Sequence, residues 1–449
     1  MEHREREREM TWRGGRVSQA WTRLVLTLAA LSVLSCARSA SIDPAGLLRN
    51  ARSDENFRQW LVGVRRELHR KPELMYKEHE TSKVIQRELE KLGIPFVAGI
   101  GGTGVVATLG NGDGPVVGLR ADMDALPIDE DSGVAFRSEH GGRMHACGHD
   151  VHVTMLLGAA RMLKDLEGSG ELGAGTVKFC FQPAEEGGAG AKHIRRHLDG
   201  SGVALESMFG FHVWPGLKTG VAASRKGTIM ASAAFFKCFF KGKGTHGAMP
   251  HLGRDPVVAA SAAIQALQTL VSRISSPFDS SVVSVTQFKA GEAFNVIPDE
   301  TMIGGTVRAT TEESMRTLIE EATSVLENVG RAYGCEVTVD FMEQEHPITP
   351  PVVNSAGGYG VAERVGKALL GEEGMIEVEP SMAAEDFSYY TQGGAEGAFV
   401  FLGISGGGEG DFPLHHPKFT ADEEVLPIGA AFHTALALDV LGNRDKAEL

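Results

Sequence analysis

Short apolar runs rich in β-branched residues alternate with longer helical patterns along most of this 449-residue chain. Residues 104–109, 115–120 and 176–181 are such runs, and each is followed by small or polar residues. A helical pattern that begins at residue 54 keeps its apolar positions on one face, and a second helix is predicted from about Glu80 to Leu92. This alternation predicts an α/β fold in which a mostly parallel sheet carries helices on both faces.

Residue types that bind metals or move protons recur where these strands end. They are Asp122 and Asp124 after one strand, Glu185 and Glu186 after another, His212 at the end of a third, and His415 and His416 in a loop after a fourth at 399–403. Ligands of open α/β sheets bind beyond the carboxyl ends of the strands. Each residue alone has a plainer explanation, such as a solvated turn or a core histidine. Their recurrence at strand ends favours a metal site.

The stretch 144–152 is the densest in such residues. Cys147 and His149 are two positions apart, so on an extended or turning backbone both side chains can face the same way. Asp150 is expected to be the N-cap of a helix formed by the apolar residues that follow it. A thiolate and an imidazole on a strand-to-helix turn resemble the first half of a transition-metal site. The alternative is a buried structural cysteine next to a surface histidine.

Length and charge restrict the class of protein. A chain of 449 residues is too long for one ordinary core and suggests two domains. The formal net charge of −14, together with the absence of a long basic run, argues against nucleic-acid binding.

The pattern changes between residue 227 and about residue 334. Strands are predicted at 235–240, 282–288 and 302–308, with helices at about 256–274 and 312–333. A few strands with two helices on one face form a small α+β unit, which is expected to be inserted into the larger sheet domain. The predicted organisation is a signal peptide at 1–40, a catalytic domain at 50–226 and 336–445, a satellite domain at 227–335, and a short tail at 446–449.

Both chain ends resemble targeting signals. Arginines precede the apolar run 24–34, and small residues at Ser35, Ala37 and Ser39 follow it in the pattern of a cleavage site. This run is shorter than the ~20 residues that span a bilayer, so no membrane span is expected after cleavage. The tail 446–449 reads Lys-Ala-Glu-Leu, which is close to the K-D-E-L retrieval signal. The two signals together predict the secretory pathway and the endoplasmic reticulum lumen.

Four ordered motifs carry a resemblance to a known family. They are Arg-Ala-Asp-Met-Asp-Ala-Leu-Pro at 120–127, His-Ala-Cys-Gly-His-Asp at 145–150, Phe-Gln-Pro-Ala-Glu-Glu-Gly at 181–187 and Leu-His-His-Pro at 414–417. This set resembles the M20 metallopeptidase family, and within it the amidohydrolase branch that includes plant auxin-conjugate hydrolases. The resemblance implies a two-metal catalytic domain and an inserted satellite domain of ferredoxin-like type. It also implies hydrolysis of N-acyl-amino acid conjugates, with indole-3-acetic acid (auxin) conjugates preferred. The alternative is a general N-acyl-amino acid or hippurate-type amidohydrolase, or a dipeptidase.

The resemblance also implies roles for individual residues. The expected metal ligands are Cys147, His149, Glu186, His212 and His415. Glu185 is the expected general base, and His246 of the satellite domain is expected to polarise the scissile carbonyl. Asn295 and Arg308 are expected to bind the substrate carboxylate. Asp122 and Asp124 are expected to support the ligands without binding the ions.

The expected cofactor is a pair of divalent ions, with Mn²⁺ favoured by the family and Zn²⁺ or Co²⁺ as alternatives. The expected partner is a small N-acyl-amino acid, and a homodimer is one route by which His246 could reach the metals. A non-catalytic binding protein is the competing hypothesis, but it would not need Glu185. The chain departs from the family pattern at Thr245 and Gly247 and in the loop 131–136. Because of the difference in this loop, the sequence does not determine the acyl group of the substrate.

Overall fold

The computed structural model of the protein describes residues 43–202, 204–392, 395–406 and 411–442. The predicted signal peptide at 1–40 and the predicted retrieval tail at 446–449 lie outside the described residues.

Helices and strands alternate through the first half of the chain, as the sequence predicts. The described helices of ten or more residues are α1 (Pro44–Ser53), α2 (Glu55–Arg70), α3 (His79–Leu92), α4 (His149–Ser169), α5 (Ala191–Gly200), α6 (Pro256–Thr269), α7 (Glu312–Ala332), α8 (Ala356–Leu370) and α9 (Val425–Gly442). The described strands are β1 (Phe96–Ile100), β2 (Gly104–Gly110), β3 (Val116–Asp122), β4 (Thr176–Gln182), β5 (Ser207–Lys218), β6 (Ala222–Ser224), β7 (Gly227–Met230), β8 (Ser232–Lys241), β9 (Thr245–His246), β10 (Ser281–Ala290), β11 (Val296–Ile297), β12 (Glu300–Ala309), β13 (Glu336–Asp340), β14 (Val352–Asn354), β15 (Met375–Glu377) and β16 (Glu396–Ser405).

Eight strands form the larger sheet in the order β1-β2-β4-β3-β5-β16-β6-β15. Its centre is parallel, because β3 pairs in parallel with β4 and β5, and β5 with β16. Strand β3 is buried along its whole length, as expected for a central strand covered on both faces. The predicted α/β class with a mostly parallel sheet is therefore confirmed.

Side chains of the larger sheet alternate between two cores, one on each face. Val105, Leu119 and Phe179 belong to a core that includes residues of α1 to α4, α8 and α9. Cys180 and Met208 point to the opposite face and pack with residues of α5. A period of two along strands buried on both faces requires helices on both sides, which the structure contains.

Helix α9 is apolar all round and almost entirely buried, which suits a helix in the centre of a layer. Two helical segments among the described residues are long and apolar enough to cross a membrane. One is α9, which is 83% buried in the protein, and the other is Pro256–Ile274, which is 28% buried. The predicted absence of a membrane span stays a prediction.

A second sheet has the order β10-β12-β8-β13 and is antiparallel throughout. Helices α6 and α7 pack on it around a separate apolar core. The helix predicted at 256–274 is α-helical only to Thr269 and continues as a π-turn at Leu270–Ile274. Strand β13 follows the predicted boundary at 335 but belongs to this sheet, because it pairs with β8. Its alternating and partly exposed residues left no apolar run to mark it.

Candidate metal centre and active site

The carboxyl edge of the larger sheet brings five predicted metal ligands together. The ligand atoms of Cys147, His149 and His212 lie within 4.8 Å of one another, and so do those of Cys147, Glu186 and His415. Cys147 belongs to both groups. Its Sγ lies 3.3 Å from Nε2 of His212 and 3.3 Å from Nε2 of His415.

His212 presents its Nε2 atom because its other ring nitrogen is occupied. Nδ1 lies 2.7 Å from the carbonyl oxygen of Val213. A carbonyl only accepts, so Nδ1 carries the proton and Nε2 has a free lone pair. A backbone partner of this kind fixes the tautomer of metal-binding histidines.

His149 is the first residue of α4 and is fully buried, yet among the described residues neither ring nitrogen makes a hydrogen bond. Its nearest carboxylate oxygens are Oδ1 of Asp124 at 3.4 Å from Nδ1 and Oδ2 of Asp122 at 3.6 Å from Nε2. Burial lowers the pKa of His149, but the carboxylates of Asp122 and Asp124 outweigh it and raise this pKa to about 10. A buried imidazole without a hydrogen bond, in a field of carboxylates, fits a ligand of a divalent cation.

Asp150 does not cap α4, and that prediction is wrong. The N-cap is Gly148, whose φ of 86° is in the left-handed region that favours glycine. Asp150 lies in the first turn, where its Oδ2 forms an ion pair with Nε of Arg65 at 2.9 Å and lies 2.8 Å from Nδ1 of His69. The side chain of Asp150 therefore interacts with two residues of α2 and does not cap its own helix. This buried ion pair fixes the helix turn that carries His149.

His415 lies on a strained loop. Its φ is 62°, which is unusual for a residue with a side chain, and its backbone N–H donates to the carbonyl oxygen of Ala146 at 2.8 Å. That bond joins the loop to the turn carrying Cys147 and brings Nε2 of His415 within 3.2 Å of Oε1 of Glu186. The ring of His416 instead stacks on Phe412 with a centroid distance of 4.6 Å.

Glu185 and Glu186 follow β4 in a tight turn that Asp124 holds. Oδ1 of Asp124 accepts the backbone N–H of Glu185 at 3.0 Å, and Oδ2 accepts that of Glu186 at 3.1 Å. Glu186 lies beside His415, whereas the carboxylate of Glu185 lies near those of Asp122 and Glu385. Burial, Glu385 and Glu186 raise the pKa of Glu185 well above its ordinary value.

Arg120 is the main cation in the wall of this site, and the sequence did not suggest its role. Its guanidinium is fully buried and donates to Asp122 at 2.8 Å, to Glu385 at 2.8 Å and to Asp386 at 3.0 Å. An arginine inside the apolar run of β3 was the available signal, because a buried charge needs partners. The nearby carboxylates are those of Asp122, Asp124, Glu185, Glu186, Glu385 and Asp386. One guanidinium does not balance them, and divalent cations would.

His152 is a supporting residue that had no predicted role. Its Nε2 accepts the backbone N–H of Val213 at 2.9 Å, and its Nδ1 lies 2.5 Å from Oδ1 of Asp122. Both ring nitrogens are used, so His152 anchors β5 next to His212 and leaves the ligand positions to others. The supporting role of Asp122 stays a prediction.

Two of the predicted satellite residues, His246 and Asn295, lie next to each other at the β9–β11 ribbon. Val296 pairs with His246 in the β9–β11 ribbon, and the N–H of Gly247 donates to the carbonyl oxygen of Asn295 at 2.7 Å. His246 and Asn295 are exposed, and no hydrogen bond or ion pair joins them to the metal-ligand cluster in the described part of the chain. Arg308 is half-buried and donates to the carbonyl oxygen of Met382 at 3.0 Å.

The chemistry of this edge defines a class of protein. Thiol, imidazole and carboxylate donors suit Zn²⁺, Mn²⁺ or Co²⁺, and a further carboxylate lies beside them without being needed as a ligand. The fold and the site are those of a metal-dependent hydrolase. The chain belongs to the Peptidase family M20/M25/M40, whose family model matches residues 118–439.

Known relatives agree with this assignment. The chain is 43% identical to the IAA-amino acid hydrolase ILR1-like 4 of Arabidopsis thaliana over 423 residues, which cover 93% of this chain and 94% of the relative. It is 38% identical to the N-acetyl-L-cysteine deacetylase of Bacillus subtilis over 391 residues, covering 87% and 90% of the two chains. The crystal structure of Bacillus subtilis YxeP, described as a dinuclear metal binding peptidase from the M20 family, superposes with a TM-score of 0.73 and 35% identity. That match covers 87% of this chain and 100% of the YxeP chain.

Proposed function

We propose that this protein hydrolyses the amide bond of N-acyl-amino acid conjugates and that its preferred substrates are conjugates of indole-3-acetic acid, from which it releases free auxin. The observation that most directly supports the substrate is the 43% identity, over nearly the full length of both chains, to a plant IAA-amino acid hydrolase.

We propose that Cys147, His149, Glu186, His212 and His415 hold two divalent ions and that these are Mn²⁺ in the cell. When bound, such ions lower the pKa of water from 15.7 toward about 7 and polarise a carbonyl group. The sulfur of Cys147 lies 3.3 Å from Nε2 of His212 and from Nε2 of His415, so this thiolate would be available as a ligand to both ions.

Glu185 acts as the general base in this proposal. It takes a proton from the attacking water and returns it to the leaving amine nitrogen as the C–N bond breaks. Burial and the carboxylates of Glu385 and Glu186 raise the pKa of Glu185 above its ordinary value, and this direction supports the role, because a higher pKa makes a carboxylate a stronger base. Asp124 holds the turn that carries both glutamates. Glu185 and Glu186 are adjacent in sequence, but in this proposal the first is the general base and the second is a metal ligand.

Three satellite residues complete the substrate site in this proposal. His246 donates a hydrogen bond to the developing oxyanion, and Asn295 and Arg308 bind the free carboxylate of the amino acid part. The ribbon contact that places His246 next to Asn295 supports a shared substrate. His246 then reaches the metals by closure of its own satellite domain or from a second copy of the chain in a homodimer.

A general N-acyl-amino acid hydrolase is the second candidate. The 38% identity to a bacterial N-acetyl-L-cysteine deacetylase favours it. A hydrolysis panel separates the two: kcat/KM is measured for indole-acetyl, benzoyl and acetyl conjugates of the same amino acids. A preference of at least tenfold for the indole-acetyl series supports auxin conjugates, and a preference for acetyl or benzoyl conjugates rejects them.

We also propose that the protein is retained in the endoplasmic reticulum lumen. The apolar run at 24–34 followed by small residues supports entry into the secretory pathway, and the Lys-Ala-Glu-Leu tail supports retrieval.

A further inference from the structure

The turn that carries Glu185 is strained. Ala184 has a φ of 53°, and the backbone of Glu186 departs from helical geometry with a ψ of 46°. A residue with a side chain is disfavoured in the left-handed region and remains there only when its surroundings hold it. The position of the Glu185 carboxylate therefore depends on the groups that hold Ala184.

One carboxylate oxygen holds Ala184 and a second strained residue together. Oε1 of Glu78 accepts the backbone N–H of Ala184 at 2.9 Å and that of Tyr76 at 2.9 Å. Tyr76 also has a positive φ, of 61°. Oε2 of Glu78 accepts the hydroxyl of Thr103 at 2.6 Å. The fully buried side chain of Glu78 thus joins three loops.

Helix capping does not explain this carboxylate. Glu78 is the N-cap residue of α3, but its side chain makes no capping hydrogen bond. Two N–H groups of the first helical turn donate to Glu73 instead, whose Oε2 lies 2.8 Å from the nitrogen of Glu80 and 3.0 Å from that of Thr81. Glu73 and Glu78 are therefore two buried carboxylates in one loop with different tasks. Glu73 supports the helix, and Glu78 faces the turn before Glu185.

Three successive backbone N–H groups of that turn donate hydrogen bonds to buried carboxylates. Glu78 accepts from Ala184, and Asp124 accepts from the next two residues, Glu185 and Glu186. The hydroxyl of Tyr76 donates to the carbonyl oxygen of Gly188 at 2.6 Å and so holds the far side of the same turn. We propose that Glu78 is a positioning residue that fixes the strained turn at Ala184 and thereby aims the carboxylate of Glu185 at the substrate.

This inference rests on the proposed role of Glu185. The two glutamates of the turn differ in what else holds them, because a metal ligand is also fixed by its bond to the ion and a general base is not. Loosening Ala184 should therefore displace Glu185 more than Glu186. The expected result is slower turnover at unchanged metal content.

The test compares Glu78→Ala, Glu78→Gln and the matched control Glu73→Ala, with Glu185→Gln measured alongside. For each variant, kcat and KM on one N-acyl-amino acid that the wild type cleaves, metal stoichiometry and Tm are measured, with kinetics well below every Tm. Glu78→Ala should lower kcat by about 10- to 100-fold, because a small misplacement of a catalytic group can cost that much. Its KM should stay within about threefold and its metal content should match the wild type.

The other two variants distinguish positioning from stability and from charge. Glu73→Ala should lower Tm as Glu78→Ala does but keep the wild-type kcat. Glutamine at position 78 keeps an oxygen for both N–H groups, and its amide can donate to the hydroxyl of Thr103, so Glu78→Gln should recover most of the lost kcat. Equal loss in Glu78→Gln and Glu78→Ala would overturn the proposal, as would wild-type kcat in Glu78→Ala while Glu185→Gln is inactive. Wild-type kcat in Glu185→Gln would reject the general base itself, and the positioning role with it.

Discussion

The Sγ atom of Cys147 lies 3.3 Å from the Nε2 atom of His212. Metal–sulfur and metal–nitrogen bonds of about 2.3 Å and about 2.0–2.1 Å, at angles between about 90° and 109°, put two ligand atoms of one ion about 3.1–3.6 Å apart. The observed separation falls in that range. Burial and the carboxylates of Glu186 and Glu185 raise the pKa of the Cys147 thiol well above its ordinary value, so a cation is needed to hold it as thiolate.

Substitution of Cys147 by serine should remove most of the bound metal, because a hydroxyl is a much poorer anionic ligand than a thiolate. Elemental analysis of the purified protein gives the metal stoichiometry. Cys180→Ser is the matched control. Cys180 is also a buried free cysteine, but it lies in the apolar core between the larger sheet and α5. Equal metal content in the two variants would return Cys147 to a structural role.

Glu185→Gln should fold and bind metal at wild-type stoichiometry but lose turnover by about 10²–10⁴-fold, because the general base is removed while every ligand remains. Single-substrate hydrolysis rates and elemental analysis measure the two effects separately. The contrasting variant is Glu186→Gln, which should lose metal as well as activity. A Glu185→Gln enzyme that turns over normally would contradict the mechanism.

His246→Ala should reduce turnover by roughly 10²–10³-fold, the cost of one lost oxyanion donor, and should leave the metal content intact. Mixing this variant with Glu185→Gln separates two routes to the site. If His246 is donated across a homodimer, mixed dimers recover one complete site and activity returns. If His246 acts within its own chain, mixing restores nothing. Full activity of the single variant would refute both routes.

Glu130→Gln should destabilise the protein at neutral pH and lose this effect in acid. Burial raises the pKa of Glu130, but hydrogen bonds from His69, Ser132 and Ser138 outweigh it and lower this pKa from 4.5 to about 2. A carboxylate with a depressed pKa stabilises the fold above its unfolded pKa, and the contribution is lost as the pH falls from about 4.5 toward about 2. The difference in the free energy of unfolding between wild type and variant should therefore shrink over that interval.

Urea unfolding of metal-free protein at several pH values measures this difference. The exposed Glu139 lies on the same loop, and Glu139→Gln should change stability little at any pH. A Glu130→Gln penalty that is the same at pH 7 and pH 3 would show that the carboxylate charge is not what stabilises this loop.

Removal of residues 446–449 should send the protein out of the cell without changing its kcat. The tail departs from K-D-E-L only at Ala447, and signals of the K-D-E-L type are addresses that a receptor reads. The measurement is the distribution of a tagged protein between medium and cell, with replacement of Ala447 by aspartate as the control for full retention. Secretion of the unmodified chain would mean that Ala447 has already disabled the signal.

The sequence by itself predicts the class of fold from local patterns, and its motifs predict, through their resemblance to a known family, which residues form the cluster. Short continuous apolar runs such as β3 indicate strands that are buried on both faces. Cys147 and His149 are two residues apart, and Glu185 and Glu186 are adjacent, so short turns bring each pair to the sheet edge with little choice of geometry.

Only the tertiary structure decides which buried polar groups hold those atoms in place. Asp150 looks like a helix cap in sequence but pairs with Arg65, which is 85 residues earlier and reaches it only because α2 packs on α4. Glu78 likewise meets Ala184 across 106 residues. Contacts of this kind depend on how helices and loops pack, and a buried charge finds its partner after that packing is set.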